Sequence, residues 1–472
     1  MATECSASEM RFQRAGAREV IGKFNGGNIT SDGGALLLRE VERQSGIIEQ
    51  FAGCFVDYRN PALIEHTVRE LVAQRVYALA LGYEDLNDHD DLRRDPLLAV
   101  AVGKTDVTGQ ERVRRRDEGK ALAGKSTLNR LELTAEKVGP EERYKKIEMK
   151  AEVVDRFFVA VFIQSQAEAP PRLVLDLDAT DDTIHGNQEG RFYHGYYRSY
   201  CYLPLYIFCD EHLLCARLRR SNIDASEGAV EELDRIVAQL RGAWPEVEIV
   251  IRGDSGFARE ELMAWCEAHG VGYVLGLARN ARLESAIEAE VAQAEQLYQE
   301  TKSAARIFKD FRYQTRDSWS RERRVVGKAE YLEKGPNPRF VVTSIPSEKT
   351  DARELYEQEY CARGEMENRI KEQQLDLFAD RTSAETMRAN QLRLWFSSVG
   401  YVLMHRLRCL GLKGTQMARA QCQTIRLKLL KIGAQVRVTV RKVWIALATG
   451  YPYEALFMRA YENLQEAPSL TG

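Results

Sequence analysis

The chain has 472 residues, too many for one ordinary hydrophobic core, so several domains are expected. An apolar share of 44% and a charged share of 29% are those of a globular protein, and no apolar run approaches the ~18–20 residues of a membrane span. The net charge of −3 does not advertise a nucleic-acid binder as a whole, but a total hides how charge is distributed.

The first residues lack a basic stretch followed by an apolar one, so no secretory signal is read and a cytoplasmic protein is expected. Nine cysteines, from Cys5 to Cys422, are scattered and never form C-x2-C pairs, which predicts reduced thiols rather than a zinc site. Residues 1–35 end in the turn-like Gly26-Gly27 and Ser31-Asp32-Gly33-Gly34. Residues 35–163 have mostly helical apolar spacing, and Pro170-Pro171 breaks the chain. The period then changes. Strands are predicted over residues 172–178, 201–209 and 213–218, a helix over 226–240, a strand over 247–251, a helix over 259–268 and a strand over 273–277. A hairpin-linked trio followed by crossovers builds a mixed sheet covered by helices, an order similar to that of ribonuclease H-like nucleases and integrases. Residues 285–302 read as helical, and residues 305–315, 323–330 and 339–344 as strands. A long helix is predicted over 352–378, and residues 383–448 read as predominantly helical and basic.

Charge is concentrated in two places. Residues 388–442 carry twelve Lys and Arg and no Asp or Glu. A second cluster, Arg112 to Arg116, contains Arg114, Arg115 and Arg116 and is followed by Lys120, Lys125 and Arg130. Such local fields attract phosphate whatever the overall balance.

Cleaving a phosphodiester with metal assistance requires hard oxygen ligands converging from separate elements. Asp178 ends the first strand; Asp176, two residues earlier, faces the same side, and both are candidates, with Asp178 nearer the loop. Asp254 closes the strand ending Arg252-Gly253, where open α/β sheets place their ligands, and it precedes the next helix by too many residues to be its cap. The long helix offers Glu359, Glu365, Glu367 and Glu372. At about 100° per residue, Tyr360, Arg363, Glu367, Lys371 and Gln374 fall within about 80° of one another, whereas Glu365 and Glu372 point away. A stripe of Tyr, Arg, Glu and Lys suits phosphate and metal, although it could equally be a solvent face with i,i+4 ion pairs.

Taken together, Asp178-Ala179-Thr180, Arg252-Gly253-Asp254-Ser255-Gly256-Phe257 and the run from Tyr360 through Arg363 and Glu367 to Glu372 resemble the DDE transposases of bacterial insertion sequences. The likeness is to the insertion sequence 1380 family, within the group sharing a Tyr-x2-Arg-x3-Glu-x6-Lys signature. It extends to Ser31-Asp32-Gly33-Gly34, Gly195-Tyr196-Tyr197 and Gly276-Leu277-Ala278-Arg279-Asn280. One position departs: the signature's last lysine falls on Gln374, with Lys371 one turn earlier on the same face.

The resemblance implies an α/β fold with an RNase H-like core and a mostly β insertion, flanked by helical terminal regions. On that reading residues 1–168 are an N-terminal DNA-binding region, 169–284 the first part of the core, and 285–348 the β insertion. Residues 349–380 are then the core helix carrying Glu367, and 381–472 a basic helical C-terminal region. It implies that Asp178, Asp254 and Glu367 hold two Mg²⁺ ions, with Mn²⁺ able to substitute. It further implies cut-and-paste chemistry: a 3′-hydroxyl is freed at each transposon end and attacks the opposite strand or target DNA. Double-stranded DNA (terminal inverted repeats and target) is the implied partner, with a homodimer pairing two ends and no membrane involved. Tyr360, Arg363 and Lys371 would hold end phosphates. Trp319, beside Arg323, would stack a flipped end base. Arg114, Arg115, Arg116 and Arg130 would help read the repeat. Two alternatives share the acids or the charge: a structure-specific nuclease of the same fold, and a domesticated DNA-binding protein that does not cut.

Overall fold

The computed structural model describes residues 9–133, 139, 141 and 143–468; Cys5 lies outside the described residues. All eight cysteines among the described residues are free thiols. The chain forms two compact units, Lys150–Ser398 and a second made from Met1–Met149 together with Val399–Gly472. No helix among the described residues is long and apolar enough to cross a membrane.

The middle unit is built on a mixed sheet of nine strands. Eight matter here: β1 (Arg172–Ala179), β2 (Leu205–Cys209), β3 (His212–Arg217), β4 (Glu248–Gly253), β5 (Gly272–Leu277), β6 (Ala305–Tyr313), β7 (Arg323–Leu332) and β8 (Arg339–Thr343). They lie in the order β3-β2-β1-β4-β5-β8-β7-β6. The pairs β1–β4 and β4–β5 run parallel, and every other pair along this path is antiparallel. The mixed α/β class expected from the change of period is what forms. β8 pairs with β5, so the three strands that follow the helix Glu288–Thr301 extend the same sheet.

The two faces of this sheet are set by alternation along the strands. Leu173, Leu175 and Leu177 of β1 point to one face, where each is at most 5% exposed and contributes about 1.5–3 kcal/mol of burial. There they join Ile207, Ile249, Ile251 and Leu275, covered by the helices Ala151–Ser165, Ala229–Ala243 and Glu260–Ala268. The opposite face presents Val250, Val274, Val326 and Val341 to Leu355 and Tyr356. Those two residues follow the short helix Ala352–Glu354 that begins the helical path predicted over 352–378. It is not a uniform helix. Wide π-type turns at Leu355–Tyr360 and Glu372–Asp376 flank a tight 3₁₀ turn at Cys361–Arg363 and the α-helix Gly364–Lys371. Such changes of pitch re-aim side chains relative to an even wheel and are frequent at functional sites.

The other unit joins the two ends of the sequence. The backbone N–H groups of Gly33 and Gly34 donate to the carbonyls of Ile432 (2.8 Å) and Leu430 (3.1 Å). Asp32, almost fully buried, receives Lys431 Nζ at 2.6 Å and the hydroxyl of Tyr83 at 2.7 Å. The Ser31-Asp32-Gly33-Gly34 motif, expected as a turn, is therefore a seam between segments four hundred residues apart in sequence.

The basic C-terminal stretch is more mixed than expected. Helices and helical turns cover just over half of residues 383–448, and a strand pair follows them. Beyond the helix Met387–Arg406 and the shorter turns after it come β9 (Ala434–Val438) and β10 (Val443–Leu447), paired antiparallel, with Asn28–Thr30 on the far side of β9. Ala434, Val436 and Val438 of β9 alternate with Gln435 and Arg437, a strand period that the density of positive charge obscures, and β10 is an apolar run. The twelve cations do not all reach the surface. Arg406, Arg408 and Arg426 are buried, and Arg426 donates to the carbonyls of Ala80 (2.8 Å) and Leu79 (3.2 Å) at the end of the helix Val68–Leu81.

Candidate active site

β1 and β4 are in register so that Leu177 pairs with Gly253. One residue further on, at the carboxyl ends of these adjacent parallel strands, stand Asp178 and Asp254. The turn after β4 is held by Asp254 itself, whose Oδ1 accepts the N–H of Gly256 at 2.8 Å. Gly276, on neighbouring β5, lets the helical path come close: a Cβ there would lie 2.5 Å from the Tyr360 hydroxyl and 3.0 Å from the Ser255 nitrogen. Tyr360 is thus packed, half-buried, against the strand ends next to Asp254 rather than projecting into solvent.

Arg363 connects the acids. Its Nη2 donates to Asp178 Oδ1 at 2.7 Å, and its Nη1 lies 3.5 Å from Glu367 Oε1. Burial pushes the Asp178 carboxyl up to about 6; the guanidinium opposes this, while Asp254 and Glu367 reinforce it. Burial alone would lower the Arg363 pKa, but Asp178, Asp254 and Glu367 together carry it above its ordinary value. Lys371 is exposed one turn past Glu367.

The geometry separates the candidates that spacing left open. Asp176 is already engaged: Arg252 forks onto both its oxygens, with Nη2 to Oδ2 at 2.7 Å, in a buried pair. Of the four glutamates, Glu359 is gripped by both terminal nitrogens of Arg172 at 3.0 and 2.9 Å, and Glu372 is buried against Arg369. Glu365 is exposed, and Glu367 alone shares a guanidinium with Asp178.

Among the described residues, no three His, Cys, Asp or Glu side chains are drawn tightly enough to chelate an ion. The reason is visible in Arg363, whose guanidinium holds Asp178 and Glu367 by its own two arms. The donor set nonetheless suits a divalent cation. Three hard carboxylates face one guanidinium, leaving an excess of negative charge that Mg²⁺ or Mn²⁺ would neutralise.

Trp319 and Arg323, expected at the DNA, are buried among their own neighbours rather than exposed. Trp319 is 6% exposed, with its ring edge-on to Tyr313 at 5.7 Å and the Arg323 guanidinium over it. Arg323 is fixed between Glu260 (2.6 Å) and Glu267 (2.8 Å). A base could stack on Trp319 only after this cluster had unpacked. Arg323, Arg324 and Glu267 also border a concavity of about 460 Å³ whose lining includes none of the three acids. In the other unit Arg114, Arg115, Arg116 and Arg130 are all exposed.

Two features escaped the sequence reading. Tyr197 donates its hydroxyl to the carbonyl of Ala179 at 3.3 Å, next to Asp178, and Tyr196, 84% exposed, stands edge-on to it. Only the Gly195-Tyr196-Tyr197 run hinted at this. Gln374, where the signature has lysine, donates to the carbonyl of Asp181 (3.2 Å) and to Asp182 Oδ1 (2.8 Å). Asp182 is fully buried, its Oδ2 has no hydrogen-bond partner, and burial pushes its carboxyl up to about 8. An amide suits a neutral acid here better than an ammonium would.

This has a consequence for stability. A carboxyl whose folded pKa lies above its unfolded value of about 3.9 favours the fold while protonated. Its contribution is complete below about pH 4 and is lost as pH rises towards about 8. Replacing it in Asp182→Asn should flatten the fall of the melting temperature between pH 5 and 8 by several degrees relative to the parent protein. Parallel curves in differential scanning calorimetry would count against a neutral Asp182.

A solved synaptic complex of piggyBac transposase with hairpin DNA is similar at 11% identity and a TM-score of 0.39, covering 94% of this chain and 83% of that one. No curated protein matches. The family described as transposase DDE domain group 1 matches residues 12–469, nearly the whole length, and the chain belongs to that family.

Proposed function

We propose that this transposase cuts DNA at the terminal inverted repeats of its element and joins the freed ends to target DNA, with Asp178, Asp254 and Glu367 as its metal ligands. The observation carrying the reading is the meeting of Asp178 and Asp254 at adjacent strand ends, with Glu367 tied to the same point through Arg363. On this reading the middle unit is the RNase H-like core, and the chain falls with the insertion sequence 1380 family of bacteria, acting on DNA in the cytoplasm. Two copies would bring two ends together.

A pair of Mg²⁺ ions, when bound, would supply charge for the attacking and leaving oxygens. The chain's own residues do the remainder. Asp178 and Asp254 come from rigid strand ends, so their spacing is set by the sheet. Glu367 is half-exposed on its helix and free to close on them once Arg363 turns away. Arg363 can exchange carboxylate oxygens for phosphate oxygens without losing its fork geometry, because both offer paired acceptors. Arg363→Ala should therefore weaken end binding about 10–100-fold, the scale of a charge-assisted hydrogen bond, while manganese titration of the DNA-free protein shows tighter binding. Unchanged affinity for both ligands would remove Arg363 from this role.

The deciding experiment is the purified protein with a labelled transposon-end duplex and Mg²⁺ or Mn²⁺. Cleavage at the end followed by joining is expected. Cleavage without joining would make the protein a nuclease, and binding without cleavage in either metal would end the enzyme reading.

A further inference from the structure

The sheet formed by β9, β10 and Asn28–Thr30 has one buried and one open face. Ala434, Val436 and Thr30 point inward and are buried. The alternate residues Ile29, Arg437, Trp444 and Ala446 are exposed, with Ile29 at 68% and Trp444 at 50%. Arg437 and Trp444 are cross-strand partners, and two cations bracket the indole: the Arg437 guanidinium at 5.9 Å and Lys442 Nζ at 5.2 Å. At the tip, Val440 is fully exposed beside Arg441 and Lys442. The turn is stiff, since Thr439 N–H and hydroxyl both donate to the Lys442 carbonyl at 2.9 and 2.8 Å. No Asp or Glu occurs from residue 388 to 453.

A cluster of exposed apolar side chains on a stiff ribbon that carries cations and no carboxylate marks a surface built to be covered. A second copy of the chain could pair along the edge of β10, but it would bring Arg441 and Lys442 against their own like charges. A polyanion with stackable or groove-lined apolar surface meets both needs. Duplex DNA does so geometrically, because its major groove admits a two-stranded β-ribbon. We infer that β9 and β10 form a DNA-binding wing, with Arg437, Arg441 and Lys442 on phosphates and Trp444 with Val440 against the groove. The inference rests on the transposase reading above, but it adds a contact surface outside the acids and outside the arginine cluster at residues 112–116.

The test is fluorescence anisotropy of the full chain with a labelled mixed-sequence duplex of about 30 base pairs, roughly three helical turns, across a salt series without divalent metal. Combined Arg437→Ala, Arg441→Ala and Lys442→Ala substitution should lower affinity and flatten the slope of log affinity against log salt by up to about 2.7, near 0.9 for each lost contact. Trp444→Ala should cost about tenfold in affinity with little change of slope. The exposed cations Lys413, Arg419 and Lys428 of the same unit, replaced together by Ala, form the control and should cost less. All the altered side chains are exposed, so melting temperatures should stay at the parent value. If the parent binds the duplex and the hairpin variants match it in affinity and slope, the wing is overturned and the transposase reading stands. If the parent fails to bind duplex at low salt, both fall. A variant that changes only the sedimentation of the DNA-free protein would reassign the face to a second copy and overturn the wing.

Discussion

Glu367→Gln should abolish cleavage of a transposon end in either metal while leaving end binding close to that of the parent protein. The amide keeps the size and one oxygen but removes the charge that a hard cation requires. Partners that merely orient a metal ligand cost about 10–100-fold when lost, so removal of a ligand itself should exceed that range. Binding should persist because Glu367 carries the same sign as phosphate and is half-exposed. Its removal even releases one arm of Arg363. Single-turnover cleavage gels with matched anisotropy titrations separate the two effects. Retained cleavage would move the third ligand to Glu365, since Glu359 and Glu372 are committed to Arg172 and Arg369.

Gly34→Ala should be among the most damaging small substitutions in the protein. The added methyl would sit 1.9 Å from the carbonyl oxygen of Leu429 and 2.5 Å from the Leu430 Cα, both backbone atoms that cannot rotate aside. Relief requires opening the seam, together with the hydrogen bonds from Gly33 and Gly34 and the Asp32–Lys431 pair. Overpacking of this kind costs about 1–3 kcal/mol where neighbours can yield, and more where they cannot. A loss of about 3–5 kcal/mol is expected in denaturant unfolding. Gly433→Ala is the control in the same unit: nothing lies within 4 Å of its added Cβ, and it should change stability by no more than about 0.5 kcal/mol. Equal effects of the two would show that the seam is not tightly closed.

The strands bearing Asp178 and Asp254 could be read from the sequence because a short apolar run with a Gly- or Thr-containing turn after it is a local signal. Glu367 was harder. An even wheel singled out its face, although the real path changes pitch three times between Leu355 and Asp376. Tyr360, Arg363 and Glu367 straddle two of those changes, yet Glu367 still lies beside Arg363 and, through it, Asp178. Asp176 could not be set apart from Asp178 by spacing, since what distinguishes them is Arg252, 76 residues away in sequence. The burial of Trp319 depends likewise on Tyr313 and Arg323 around it. Counting charge misled in a different way. It looks for acidic partners, whereas Arg426 is satisfied by neutral carbonyls at a helix end. It also drew attention from the alternation that makes β9 and the apolar run that makes β10.

The seam at Gly33 and Gly34 sets an order of events during synthesis. When Ser398 leaves the ribosome, every residue of the middle unit has been made, but the other unit still lacks everything from Val399 onward. At about 5–20 residues per second, several seconds pass before the missing segment exists. Throughout that interval the nascent N-terminal segment must keep open the surface that Leu429, Leu430 and Ile432 will cover. Chaperone occupancy should therefore peak there, and a chain broken after the acids would keep all three of them yet lack a finished partner unit.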